Sequence, residues 1–318
     1  MSPIKHLLQQ GSAQEAGHMG NAAVVLQNYL LELDGKPVGR IGNVAIGSLK
    51  ADVVTKTTGG GLGERQLTRQ TFDSTSFTCG AGMSQVFYDW LNNTFNRSYI
   101  RKNGAIVAID SNKKEVLRID FQNALIESIV LPKLEIASKG SALITVKFKP
   151  ESVRHTKAGG NANVGNYTSP HPKIWNSSTF ALSIGGLEKE CAAVTNIRAL
   201  GIGQGIAMHN AGESDLPVFE ATSAVYPSLI IDLPSLSVGG FDDWFESVAA
   251  GAGASVKAGT LKYLGPDSKI EFFSLDFSGL GMSEKTFAKG EDGSSNKPVT
   301  IKLYYDSAAF KANLSAVM

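Results

Sequence analysis

Two glycine-rich stretches, Gly59-Gly60-Gly61-Leu62-Gly63 and Gly201-Ile202-Gly203-Gln204-Gly205, have the composition of a phosphate cradle, in which bare backbone N–H groups face the ligand. Neither ends in the Gly-Lys-Ser/Thr that brings a lysine to the phosphate, and neither stands between a strand and a helix with a later acidic residue, so both are expected to be flexible loops. Five histidines, His6, His18, His155, His171 and His209, are the candidate metal ligands. Their dispersal leaves no pair at ligand spacing, and surface or linker positions are expected. Cys79 and Cys191 fall one in each half of the chain, which gives no disulfide framework and predicts two buried or semi-buried thiols. Asp120 and Asp276 are the carboxylates nearest to a general acid–base role, but each sits between apolar residues with no second acid beside it; bonding to a turn or a neighbouring backbone is expected. Arg97, Arg101, Lys102, Lys113 and Lys114 cluster in sequence without aromatic residues to stack bases, so they read as a solvated or intersubunit charge patch rather than a nucleic-acid reader. The sequence therefore predicts no catalytic residue, no cofactor and no metal, and a non-enzymatic protein.

The elements that carry these residues are written twice. Tyr29-Leu30-Leu31-Glu32-Leu33-Asp34-Gly35 returns as Phe180-Ala181-Leu182-Ser183-Ile184-Gly185-Gly186, and Phe87-Tyr88-Asp89-Trp90-Leu91 as Phe241-Asp242-Asp243-Trp244-Phe245. Leu117-Arg118-Ile119-Asp120-Phe121 returns as Phe273-Ser274-Leu275-Asp276-Phe277, and Ile144-Thr145-Val146-Lys147-Phe148 as Val299-Thr300-Ile301-Lys302-Leu303. The displacement stays between 151 and 156 residues throughout. Four collinear matches point to a tandem duplication, and repetition of that kind directs attention from catalysis to assembly.

A chain of 318 residues can bury two cores, and 42% hydrophobic with 19% charged residues is the composition of a soluble globular protein. No apolar run approaches the roughly 20 residues that span a bilayer, and Met1 to Gly20 lacks a basic-then-apolar signal pattern; a cytoplasmic product with no membrane partner is expected. Residues 1–160 hold 19 Lys+Arg and 13 Asp+Glu, whereas those after 160 hold 11 and 16. Opposite net charge on two similar halves favours pairing of unlike domains, within one chain or between chains.

The sequence divides into an N-terminal extension (1–23), a first domain (24–155), a linker rich in Gly, Asn, Ser and Pro (156–176) and a second domain (177–318). Ala23 to Leu33 and Val44 to Val54 read as strands, and Ser84 to Phe95 as a helix with Ser84 as N-cap. Its counterpart is Asp242 to Ala250. Phe87, Trp90, Phe241 and Trp244 are the expected core anchors of the two helices. A hairpin follows each helix, Gly104 to Phe121 and Thr260 to Phe273, and each half closes with a strand, Leu143 to Phe148 and Val299 to Tyr304.

The first half resembles the tail-tube proteins of contractile phages and contractile injection systems over about residues 24–155. The resemblance rests on the strand and Asp-Gly turn from Leu31 to Gly35, the aromatic helix Phe87 to Phe95, the hairpin entry Arg101-Lys102-Asn103-Gly104-Ala105-Ile106, and the run from Arg118 through Asn123-Ala124 to Leu131-Pro132. The second half keeps Phe241 to Phe245 and Leu275-Asp276-Phe277 but lacks the Arg-Lys-Asn-Gly entry and the Asn-Ala stretch.

The resemblance implies a mainly β protein of two tandem tube-type β-sandwich or barrel domains, each with a short flanking helix. It further implies an inner-tube subunit whose trimeric pseudo-hexameric or hexameric rings stack around a channel. Sheath and baseplate or spike proteins would be its partners, DNA or an effector protein its passing, non-sequence-specific cargo, and a virion tail or injection particle its final location. On this reading the two hairpins line the lumen or bridge rings, while Thr57 to Gly63 and Met1 to Ala22 contact adjacent rings. A baseplate hub or adaptor with paired tube-like domains is the alternative. A two-module β-sandwich binding protein or carbohydrate-active enzyme is an alternative of another class.

Overall fold

A computed structural model describes residues 28–56, 63–157, 175–209, 217–251, 256–287 and 298–317. The first half holds β1 (Asn28–Leu33), β2 (Lys36–Ala45), β3 (Leu49–Lys56), β4 (Glu64–Phe72), β5 (Thr75–Cys79), helix α1 (Gln85–Phe95), β6 (Lys102–Ile109), β7 (Glu115–Leu131), β8 (Leu134–Glu135), β9 (Ile144–Lys149) and β10 (Ser152–Lys157). The second holds β11 (Phe180–Ile184), α2 (Glu188–Ala192), β12 (Asn196–Ile197), β13 (Leu200–His209), β14 (Val218–Val225), β15 (Leu229–Pro234), α3 (Gly239–Ala249), β16 (Lys257–Leu264), β17 (Glu271–Phe287), β18 (Pro298–Tyr304), β19 (Ser307–Ala312) and α4 (Leu314–Val317). The protein is mainly β, with barrel-like sheets.

In the first half the strands close on themselves. The order β7-β6-β1-β2-β5-β9 returns to β7 through the β7–β9 pairing, and β10 continues along β7 beyond β9. Closure leaves no edge within that ring of strands. Burial alternates along the closing strands, as in Thr75–Cys79 and Ile144–Lys149, so one face of each supplies Phe77, Ile144, Val146 and Phe148 to the interior. In the second half the order is β11-β16-β17-β18-β15-β12-β8, with β19 on β17. The segment after β11 forms the short helix α2, where the first half has the start of β2, so this second set stays open between β11 and β12.

Several pairings recur between the halves down to their irregularities. β6 meets β7 with a bulge at Lys102/Gly104, and β16 meets β17 with one at Lys257/Gly259. β7 meets β9 with a bulge at Ile126/Ser128, and β17 meets β18 with one at Met282/Glu284.

Helix α1 forms because Phe87, Tyr88, Trp90, Leu91, Thr94 and Phe95 fall on one face and are buried there. Ser84 precedes it but makes no side-chain cap; its N–H donates to the Val38 carbonyl, which ties the helix start to β2 instead. The helix ends where Arg97 turns into the left-handed region at φ 59°. The counterpart helix begins at Gly239, three residues before the expected Asp242.

Four further expectations are corrected. Val44 to Val54 is not one strand but the end of β2 and most of β3, divided at Gly47, where a side chain would meet the Asp73 carbonyl. Gly201 to Gly205 is not a flexible loop but part of β13, where Ile202 and Gln204 point inward between glycines. Neither half ends at its expected last strand, since β10 and β19 follow. Of the expected linker, Thr156 and Lys157 belong to β10 and Trp175 is buried, while 158–174 lie outside the described residues, as do Met1 to Ala22 and 57–62.

The two helices give a direct comparison. Trp90 is fully buried and its indole N–H donates to the Ile100 carbonyl at 3.1 Å, whereas Phe245 on α3 is 46% exposed. Trp90→Ala is expected to cost about 3–5 kcal/mol and Phe245→Ala less than about 1 kcal/mol, measured by urea unfolding of the two variants.

Candidate functional site

The polar chemistry of this chain converges on the seam between its halves. β13 adds to the edge of β7 with Leu200 opposite Leu131, Gly201 opposite Val130, Ile202 opposite Ile129 and Gly203 opposite Ser128. The nine-stranded sheet thus contains every strand of the first half except β3, β4 and β8, together with β13 and β14. A smaller exchange runs the other way: β8 pairs with β12, Leu134 opposite Ile197. The amide of the buried Gln204 donates to the Ile126 carbonyl and so continues the seam past the last strand pair. Gly205 follows as glycine because a side chain there would overlap the Thr222 hydroxyl on β14.

Glu151 fixes the hairpin β13–β14 from the other side. Its carboxylate is buried, accepts the Phe219 N–H at 3.0 Å and the Asn123 amide at 2.7 Å, and faces Arg101 Nε at 3.6 Å. Arg101 in turn donates to the Phe219 carbonyl at 2.5 Å, so one strand residue is held at both backbone groups by an ion pair from the first half. Arg97 lies over the Tyr226 ring, 5.1 Å from its centroid, donates to the Tyr226 hydroxyl at 3.1 Å and reaches the Asp306 carbonyl at 3.3 Å. Tyr226 passes the chain on by donating to the Phe95 carbonyl.

Beneath these polar contacts lies an aromatic layer. Phe95 stacks on Phe310 at 5.3 Å, Tyr88 packs on Phe273 at 5.4 Å, and Trp175 meets the edges of Tyr263 and Phe273. Rings at these separations add about 0.5–1.5 kcal/mol per pair to the area they bury.

The five clustered cations are divided by the fold. Arg97 and Arg101 join the two halves of one chain, and Lys102 at the start of β6 pairs with Asp34 of the β1–β2 turn at 2.6 Å. Lys113 occupies the β6–β7 turn at φ 61°, and the Lys114 N–H donates to Asp110 Oδ1. Phe87, Trp90 and Phe241 are fully buried and Trp244 nearly so.

Asp120 accepts from Arg118 at 2.9 Å and from Thr156 at 2.7 Å; Arg118 also donates to Glu32, so an acid absent from its sequence neighbourhood shares its partner. These groups line a cleft of about 790 Å³ between β4, β7 and β10. Asp276 accepts from Lys311 and Thr260, and the Lys311 hydrogen bond holds its carboxyl below the usual carboxylate range. Cys79 and Cys191 are buried and unpaired; burial pushes the Cys191 thiol up to about 11. His209 lies 3.3 Å from Glu220, and no group of three metal-ligating side chains occurs among the described residues. No described helix is long and apolar enough to cross a membrane.

Sequence reasoning missed Glu151, Phe219 and Tyr226. Each acts across a separation of 50 residues or more, and nothing local to any of them signals the partner.

The chain is thus mainly β, with the buried Glu151 and the half-exposed Arg101 holding one set of strands against the edge of another. Residues 26–154 match the family model of the T4-like virus tail tube protein gp19. The family so matched is a structural one. No curated protein matches the chain by sequence. Among solved structures, the tube-terminating cap of the anti-feeding prophage is 14% identical, with 46% of this chain and 94% of that one covered and a TM-score of 0.37. The sheath/tube terminator of the PVC extracellular contractile injection system is 13% identical over 43% and 99%, with a TM-score of 0.36. Hcp1 from Flavobacterium johnsoniae is 13% identical over 42% and 96%, with a TM-score of 0.27.

Removing the Glu151 carboxylate leaves the buried Phe219 N–H without its acceptor. Glu151→Ala is expected to cost about 1–3 kcal/mol and to speed exchange of the Phe219 amide relative to the first-half core, as read by hydrogen exchange.

Proposed function

We propose that this chain is a subunit of the inner tail tube of a contractile phage tail or a bacterial contractile injection system, in which copies form rings that stack around a channel. The match of residues 26–154 to the tail-tube family carries this reading. The second half, 177–318, is read as a second tube-type domain joined in tandem to the first, 24–155. The shared bulges of β6–β7 with β16–β17 and of β7–β9 with β17–β18 support that duplication.

Two such domains in one chain reduce a sixfold ring to three copies. The β13–β7 seam then supplies within the chain a contact that single-domain subunits make between chains. The function is mechanical rather than catalytic: rings associate, stack, meet an outer sheath and a baseplate, and leave a lumen for DNA or an effector protein. The hairpins β6–β7 and β16–β17 are the proposed lumen-lining or ring-bridging elements. The protein would be made in the cytoplasm and end in a virion tail or injection particle.

Negative-stain imaging with native mass measurement of the purified chain tests this. Rings or tubes are expected, with a ring mass three times that of the 33.7 kDa chain. A protein that stays monomeric at high concentration, with and without sheath and baseplate partners, contradicts it.

A further inference from the structure

The seam inside the chain has an unfilled counterpart at its two outer ends. β7 is covered along one edge by β6 as far as Ala124, and β13 takes over that edge at Ser128. Its other edge carries β10 and then β9, in one register up to the bulge at Ile126/Ser128. β17 has the same arrangement up to a point. β16 covers one edge as far as Leu280, and β19 and then β18 cover the other, in one register up to the bulge at Met282/Glu284. Beyond Leu280, at Glu284 to Phe287, the first edge has no strand beside it among the described residues. Where Leu131 ends β7 at 1% exposure, Phe287 ends β17 at 59%.

The hairpin that would fill such an edge stands free at the other end of the chain. β3 and β4 form a two-stranded sheet with a bulge at Ala51/Val53, opposite Gln70 and Leu67. β13 and β14 have the same bulge at Gln204/Ile206, opposite Ala224 and Ala221. Aligning the bulges sets Leu49 in the place of Ile202. Ile202 is 3% exposed against β7, whereas Leu49 is 57% exposed on a strand with only β4 beside it among the described residues. An exposed hairpin with an apolar side chain and an open strand edge on one molecule are each an association liability unless the two meet.

The same alignment makes the charges complementary. The bulges of β7 and β17 bring Ser128 onto Glu284 and Ile129 onto Lys285, so the in-chain pairs Gly203–Ser128 and Ile202–Ile129 become Lys50–Glu284 and Leu49–Lys285. Lys50 is exposed, and an unlike pair directly across two strands favours the register, whereas a like pair opposes it. Behind the hairpin, Arg65 takes the place of Phe219 and Asp306 that of Glu151, which again sets an acid against the incoming strand.

We propose that β3 of one copy adds to the open edge of β17 in a second copy of this chain, with Lys50 opposite Glu284 and Leu49 opposite Lys285. Copies then join head to tail by the same strand addition that joins the halves within each copy. The contact is heterologous, using different surfaces on its two sides, so it closes into a ring or runs on into a fibre. Closure at three copies rests on the tail-tube reading.

The test uses the full-length chain carrying K50C and E284C together, with each single variant as control; the native thiols are buried. Mild oxidation followed by non-reducing electrophoresis is expected to give dimers and a terminal band of three chains from the double variant and monomers from both single variants. E284K, at an exposed site, is expected to raise the concentration of half-assembly about tenfold at low salt, because it sets two lysines opposite each other at every contact. Rings in the microscope with no cross-link from the double variant overturn the proposed contact and leave the tube reading standing. A shift under twofold for E284K overturns the Lys50–Glu284 register. Absence of rings from the unmodified protein removes the tube reading and, with it, this contact.

Discussion

An antiparallel strand satisfies its backbone only when both edges are paired, and in this protein one long strand carries most of that requirement. β7 runs 17 residues and pairs with β6 and β13 along one edge and with β9 and β10 along the other. The pairing with β9 that closes the barrel runs from Leu125 to Val130, and the hairpin of the second half is received on the opposite edge from Ser128 to Leu131, where β6 has already ended at Ala124. Barrel closure and the seam therefore share one stretch of β7. Glu151 and Arg101 hold the hairpin in place because their partners are the backbone N–H and carbonyl of Phe219, which no substitution at Phe219 other than proline removes.

Much of the barrel was legible in the sequence because its signals are local. The helical spacing of Phe87, Trp90, Leu91 and Phe95 located α1, and the polar turn after Ile109 located the β6–β7 hairpin. What was not legible depends on distant partners. The expected hairpin stops at Phe121, and only the family resemblance carried the run on through Gln122-Asn123-Ala124, where β7 continues as one strand. Asn123 takes φ 50° there, and its N–H donates to the Asn103 side chain, 20 residues back. Gly201 to Gly205 reads as a loop on composition, but in β13 its glycines allow close approach to β14 while Ile202 and Gln204 face the seam. The fold divides the basic cluster for the same reason: charge density along the sequence says nothing about Glu151, Tyr226 and Asp34, which draw Arg101, Arg97 and Lys102 apart.

The family match and the seam bear on function in different ways. Residues 26–154 match a family of structural tail-tube proteins, and that segment contains the closed barrel. The second half repeats the pairings of the first but leaves its own barrel open and lends two strands to its neighbour's sheet. One joint is filled within the chain and the corresponding edge of β17 has no strand beside it among the described residues, which is the observation behind the proposed contact between copies.

Hydrogen exchange before and after assembly tests the central claim most directly, namely that one kind of strand addition joins both the halves and the copies. Of Leu200 to Gly203, the alternate amides that point at β7 should be protected in both states, while the alternate amides of β3 and of Glu284 to Phe287 that point away from β4 and β18 should exchange freely in the monomer and become protected only in the ring. Rings that form while Glu284 to Phe287 gain no protection would contradict the account.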